Sequence, residues 1–259
     1  MAVHQEISVG VGRRLGDERG MALLIALMAI LLVMALGTAL ILAASVESTI
    51  TRNFRNSSGA LYAADAGLER AVGDLKAIAD WNAVLSGLAS SAFADGTPAG
   101  TRILSDGRPM NFDEIVSLAN CRQASPCSSA AMDAATADRP WGSNNPRWQP
   151  FAWGPLSGLL PAGDVEPPYY VVVMVGDDPS ENDGDPLADG AAPCAPEETG
   201  ACNPGTDRLA VRGEAFGPFG AHAILELTIA RRGAGERPPD YNDGGDPAGV
   251  RILSWRELR

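Results

Sequence analysis

Residues 21–46 form an uninterrupted apolar run, with no charge and with Thr38 and Ser45 as its only polar side chains. As a helix this run extends about 39 Å, more than the roughly 30 Å hydrocarbon core of a bilayer. A cleavable secretory signal has an apolar region of only about 7–15 residues, so the run is too long for one. Beyond Glu47 the pattern changes but does not stop. Ile50, Phe54, Leu61, Leu68, Val72, Leu75 and Ile78 recur at helical spacing and make one apolar stripe, while Arg52, Arg55, Asp65, Glu69, Arg70 and Lys76 lie between them. No proline occurs before Pro98. The pattern therefore predicts one helix over 21–79, a membrane half (21–46) followed by an amphipathic half (47–79).

Periodicity then weakens. Residues 80–167 are rich in Gly, Pro, Ala, Ser and Asn and predict a loop-rich region, with a helical turn or two at "NFDEIVSLANC". "RPWGSNNPRWQPFAWGP" sets three tryptophans and a phenylalanine among prolines, either as a loop folded onto a core or as an exposed aromatic surface. From residue 168 the pattern predicts strands. "YYVVVMV" (169–175) is continuous and β-branched, which suits a strand buried on both faces. "RLAVRGEAF" (208–216) alternates, with Leu209, Val211 and Ala215 opposite Arg208, Arg212 and Glu214. "AHAILELTIA" (221–230) places Leu225, Leu227 and Ile229 opposite Glu226 and Thr228, and "GPFG" turns the chain between these two strands. "VRILSWREL" (250–258) supplies a fourth strand. The expected class is α+β: a long N-terminal helix packed on a mainly antiparallel sheet, with 168–259 as the β-rich head.

Charge narrows the possible partners. The 259 residues carry a formal net charge of -12, and Lys76 is the only lysine. A nucleic-acid surface needs clustered cations, so none is expected. The acid concentrates between residues 177 and 207, where Asp177, Asp178, Glu181, Asp183, Asp185, Asp189, Glu197, Glu198 and Asp207 occur without Lys or Arg. Calcium takes six to eight oxygen ligands. Asp178, Asn182, Asp183, Asp185 and Asp207 are the candidate set for it, and a solvated loop is the competing account. The EF-hand spacing is not met, because its twelfth position is Ala192.

Cys121, Cys127, Cys194 and Cys202 fall in two local pairs, neither of them CxxC, and His222 is the only histidine after residue 20. Zinc is therefore poorly supported. In an oxidising compartment, Cys121–Cys127 and Cys194–Cys202 are the simplest of three possible connectivities. No GxSxG, HExxH or Walker loop is present, and a lone strand histidine does not make a triad. The chain is not expected to be an enzyme.

Arg13, Arg14 and Arg19 precede the apolar run and favour a cytoplasmic N-terminus. The leader ends in Arg19-Gly20 directly before Met21. "RGMALLIALMAILLVMALGTALILAASVESTITRNFRNSSGALYAADAGLERAV" resembles the N-terminal region of PilX-type minor pilins of type IV pili, and the final "GVRILSWRELR" resembles their C-terminal strand more loosely. The resemblance implies a pilin-like fold and a leader of residues 1–20, cut by a prepilin peptidase between Gly20 and Met21, with methylation of the new amine. It implies a single-pass inner-membrane protein with a periplasmic head, later incorporated into a pilus at the cell surface through contacts of the N-terminal helix with other pilins and minor pilins. Most pilins carry a glutamate at the fifth mature position, where this chain has Ile25. That departure points to a low-copy component rather than a major subunit. A tip-like type II secretion pseudopilin is the related alternative. An uncleaved, membrane-anchored periplasmic binding protein, which would keep residues 1–20, is the unrelated one.

Overall fold

The computed structural model describes residues 18–139, 142–161, 163, 166–180, 184–190, 207–231 and 249–258. The chain divides into two compact units, Met1–Arg52 and Asn53–Arg259. The described part of the first is the opening of helix α1 (Glu18–Ala77). Every residue from 20 to 52 is exposed, the leucines, isoleucines and methionines included. Thr38 Oγ1 donates to Ala35 O at 2.9 Å, and Ser45 Oγ donates to Leu42 O at 2.8 Å. The polar side chains of the 21–46 run thus meet their hydrogen-bond needs on the helix itself, as a segment in hydrocarbon requires. The helix is long and apolar enough to cross a membrane.

In the second unit, the end of α1 is followed by α2 (Asn82–Leu85), a small hairpin of β1 (Thr101–Ile103) and β2 (Pro109–Asn111), then α3 (Phe112–Cys121) and α4 (Ser129–Ala137). The main sheet comprises β3 (Gln149–Pro155), β4 (Tyr170–Asp177), β5 (Arg208–Phe216), β6 (His222–Arg231) and β7 (Val250–Leu258), adjacent in that order and antiparallel throughout. The α+β class is therefore as expected. The outer edge of β3 is met by residues 91–95, through Ser91 N to Phe151 O, Trp153 N to Phe93 O and Asp95 N to Trp153 O.

One face of the sheet carries Val171, Val173, Val175, Leu209, Val211, Leu225, Leu227 and Ile229 into a core with α1. The other face, over β3 to β5, carries Trp153, Val172, Met174 and Ala210 into a second core with Phe112 and Ile115 of α3. β4 is buried along its whole length because it is covered on both sides. Its unbroken apolar run has that cause.

Three expectations are corrected. The core stripe of α1 does not begin at Ile50 and Phe54, which are 62% and 72% exposed; burial begins at Ala60 and continues through Ala63, Ala64, Leu68, Ala71, Val72 and Leu75. The buried face is mostly alanine because helix and sheet approach closely. The helix ends at Ala77, ahead of the expected residue 79, and its last carbonyls find side-chain donors. Trp81 Nε1 donates to Leu75 O at 3.2 Å, and Arg231 Nη2 donates to Ile78 O at 2.8 Å. Finally, the 80–167 region holds more regular structure than its composition suggests. Asn111 Oδ1 caps α3 by accepting from Asp113 N and Glu114 N, giving ten helical residues in place of a turn or two. Residues 149–155, expected as loop, form β3. This strand tolerates Pro150 and Pro155 because it is the last of its sheet, with a register shift between Pro150 and Ala152.

Two glycines set the helix–sheet spacing. A Cβ on Gly67 would overlap Val171 Cγ1, and one on Gly213 would stand 2.7 Å from Leu68 Cγ. Gly67→Val is expected to lower unfolding free energy by about 1–3 kcal/mol through overpacking. Gly73 has nothing within 4 Å of its Cβ position, so Gly73→Ala should raise it by about 0.5–1 kcal/mol. Urea titration of the detergent-solubilised chain, followed by tryptophan fluorescence, measures both. Equal effects at the two sites would contradict the close contact.

Candidate functional site

Gly20 and Met21 lie in the first turns of α1 and are both exposed. A Cβ on Gly20 would touch nothing within 4 Å, so packing within the fold does not require glycine there. Cys121, the last residue of α3, is disulfide-bonded to Cys127, their Cα atoms 6.3 Å apart. Cys194 and Cys202 lie outside the described residues, as do Asn182 and Asp183.

The described members of the acidic set have partners within the chain. Asp178 is buried at the end of β4, where Oδ2 accepts from Ser180 Oγ at 2.6 Å and Oδ1 from Ser180 N at 3.2 Å. Asp185 Oδ1 accepts from Leu187 N at 3.0 Å. Asp207 adopts a left-handed backbone (φ 61°), with Oδ1 3.3 Å from Arg231 Nε. Arg231 also stacks on Trp81, 4.0 Å from the ring centroid. This arginine ties the start of β5 to the end of α1. Among the described residues, no three Asp, Glu, His or Cys side chains form a group able to hold a metal ion.

A different polar cluster occupies the sheet face opposite α1, over β5 to β7. Arg212, Glu226 and Arg256 are directly opposite one another on three successive strands. Arg212 Nη1 donates to Glu226 Oε1 at 3.0 Å and Nε donates to Glu214 Oε1 at 2.7 Å, while Arg256 Nε donates to Glu226 Oε2 at 3.0 Å. His222 Nε2 lies 2.9 Å from Glu214 Oε2, and its ring stacks on Phe216, its cross-strand partner, with centroids 4.5 Å apart. Burial pushes the Glu214 carboxyl up, but the His222 hydrogen bond and the Arg212 charge outweigh it, and its pKa falls below the usual carboxylate value.

These strands floor a groove of about 710 Å³, walled by Leu118, Ala119 and Arg122 at the end of α3, by Arg139, and by Pro146 and Trp148. Arg139 donates to Ala119 O at 2.9 Å, Asn120 O at 2.6 Å and Pro146 O at 3.2 Å, closing the α3 C-terminus. Asn120 completes the join, with Nδ2 donating to Trp148 O at 2.9 Å and Oδ1 accepting from Trp148 N at 2.7 Å. The strand pattern already turned Arg212, Glu214 and Glu226 away from the helix. It held no sign that Arg122 and Arg139, from a weakly periodic region, would join them. No family model, curated protein or solved structure matches this chain.

Glu214 has a depressed pKa in the fold, so its contribution to stability is complete above the ordinary glutamate value and is lost as pH falls through the lower one. Unfolding free energy measured by urea between pH 6 and pH 3 should therefore fall below about pH 4.3. Glu214→Gln should reduce the slope of that fall, and an unchanged slope would contradict the assigned pairing.

Proposed function

We propose that this chain is a minor-pilin-like structural component of a type IV pilus or related filament, held in the inner membrane before incorporation. The observation that carries the proposal is α1. One helix exposes an unbroken apolar surface over residues 20–46, and its closing turns are the central core element of the second unit. A plain membrane anchor does not require its helix to continue into the core of the exported part. Continuity of that kind suits a protein drawn from the bilayer into a helical bundle, where apolar helix surface exchanges lipid for neighbouring helices. The basic leader ending in Gly20, the Cys121–Cys127 disulfide and the N-terminal resemblance all support the same reading.

Ile25 is an exposed apolar residue of α1 and cannot ion-pair with a neighbour's N-terminal amine, which favours a low-copy position over repeated stacking. A type II secretion pseudopilin shares this feature, and an exported head in the periplasm suits both. Prepilin peptidase, other pilins and the membrane are the proposed partners.

Processing tests the proposal. Intact-mass measurement on protein from native membranes should show a chain starting at Met21, its amine methylated. Gly20→Val should leave the full-length form, because the peptidase accepts only a small residue before the cut. A wild-type chain starting at Met1 or Ala2 would favour the uncleaved binding protein.

A further inference from the structure

A second cavity, of about 380 Å³, is lined by one face of α3. Asp113, Val116, Ser117 and Asn120 recur along that face at three- and four-residue spacing, while Phe112, Ile115 and Ala119 of the adjoining face pack into the core beneath. The remaining walls are apolar: Pro98, Pro126, Met132 of α4 and Pro150 of β3, with the sulfur of Cys127. Cys127 Sγ lies 3.5 Å from Ser117 O, and its bond to Cys121 ties this wall to the end of α3. The volume falls within the range of about 300–1,000 Å³ usual for small-molecule sites, at its lower end.

Two polar groups of the lining select the ligand. Ser117 is only 6% exposed, yet among the described residues its hydroxyl has no hydrogen-bond partner. A helical serine ordinarily returns its hydroxyl to a carbonyl one turn back, as Ser45 does in α1. A buried hydroxyl without such a bond calls for a partner from outside the fold. One turn earlier on the same face is Asp113, whose Oδ2 accepts from Gly100 N at 3.0 Å, a bond that orients the carboxylate. Its full charge exceeds the roughly half charge of the helix N-terminus beside it, so the site favours a cation. The net charge of -12 acts in the same direction. Asn120 adds no further handle, because both ends of its amide are engaged by Trp148. An ammonium has three donors and no acceptor, which suits a carboxylate and a hydroxyl one helical turn apart. The proline rings, Met132 and the disulfide sulfur suit a flat apolar body, since polarisable sulfur contacts aromatic rings favourably.

We infer that this cavity binds a small aromatic amine, its ammonium held by Asp113 and Ser117 and its ring among Pro98, Pro126, Met132 and Pro150. The inference does not depend on the filament reading, since it rests on the head alone. It is tested with tryptamine by isothermal titration calorimetry of the full chain in zwitterionic detergent, with the heat of micelles alone subtracted. Tryptamine should saturate one site per chain with a dissociation constant below about 1 mM. Indole-3-propionate, which carries a carboxylate in place of the ammonium, should bind at least about tenfold more weakly. So should n-butylamine, which keeps the ammonium and lacks the ring. Asp113→Asn retains an acceptor for Gly100 N and should weaken tryptamine by about tenfold or more. Ser117→Ala should weaken it by about threefold or more without lowering the urea midpoint, because the hydroxyl it removes has no partner in the fold. A hydroxyl that served only the fold would lower that midpoint. The inference is overturned if tryptamine does not saturate or if indole-3-propionate or n-butylamine binds as tightly. It is equally overturned if folded Asp113→Asn or Ser117→Ala chain binds tryptamine unchanged.

Discussion

The second unit depends on how closely α1 can approach β4 and β5. Gly67 on the helix receives Val171, and Gly213 on the sheet receives Leu68, so each element lacks a side chain where the other projects one. Ala60, Ala63, Ala64 and Ala71 keep the rest of that face shallow. Close approach leaves little room at those positions, and Leu68 and Leu75 are the large side chains that the helix buries among the strand valines and leucines. Dispersion falls off steeply with distance, so a shallow, dense interface can stabilise as well as a deep one with larger side chains.

Along α1 the same helical geometry serves two solvents. Over residues 21–46 the apolar residues surround the helix, and the few hydroxyls return to its own backbone. From residue 60 the apolar character narrows to one face, and Arg70 turns to Asp74 at 3.0 Å on the other side. The C-terminus of the helix is then closed by donors distant in sequence, Trp81 and Arg231. A helix end with unsatisfied carbonyls would be costly beside an apolar core. Arg231 removes that cost and also fixes where β6 must finish.

On the opposite face, the length of α3 sets the division of labour. It covers β3 to β5 and leaves the β5–β7 region to a charged ladder. There each carboxylate contacts two basic side chains: Glu226 meets Arg212 and Arg256, and Glu214 meets Arg212 and His222. Buried carboxylates persist only with such partners. Registering three strands brings those partners together, so the ladder also disfavours a one-residue slip.

Several features could be read from the residues themselves. The apolar run, its continuation as a helix, the four later strands and the faces of β5 and β6 all follow from periodicity, because side-chain direction repeats every 3.6 or 2 residues whatever the partner. The Cys121–Cys127 link followed from nearness in sequence. The start of the buried helix face did not, because alanine signals burial weakly and Ile50 and Phe54 are more apolar than the alanines that pack. β3 was hidden by its prolines, which only an edge position makes acceptable, and edge position is a property of the assembled sheet. The groove was the least legible feature. Its arginines come from the C-cap of α3, from the segment after α4, and from β5 and β7, and a charge shows its partners only when the chain has folded. The sequence by itself determined the elements and their faces, since those depend on local geometry. Tertiary structure alone decided which small residues touch and which charges meet, since both depend on distances between segments far apart in the chain.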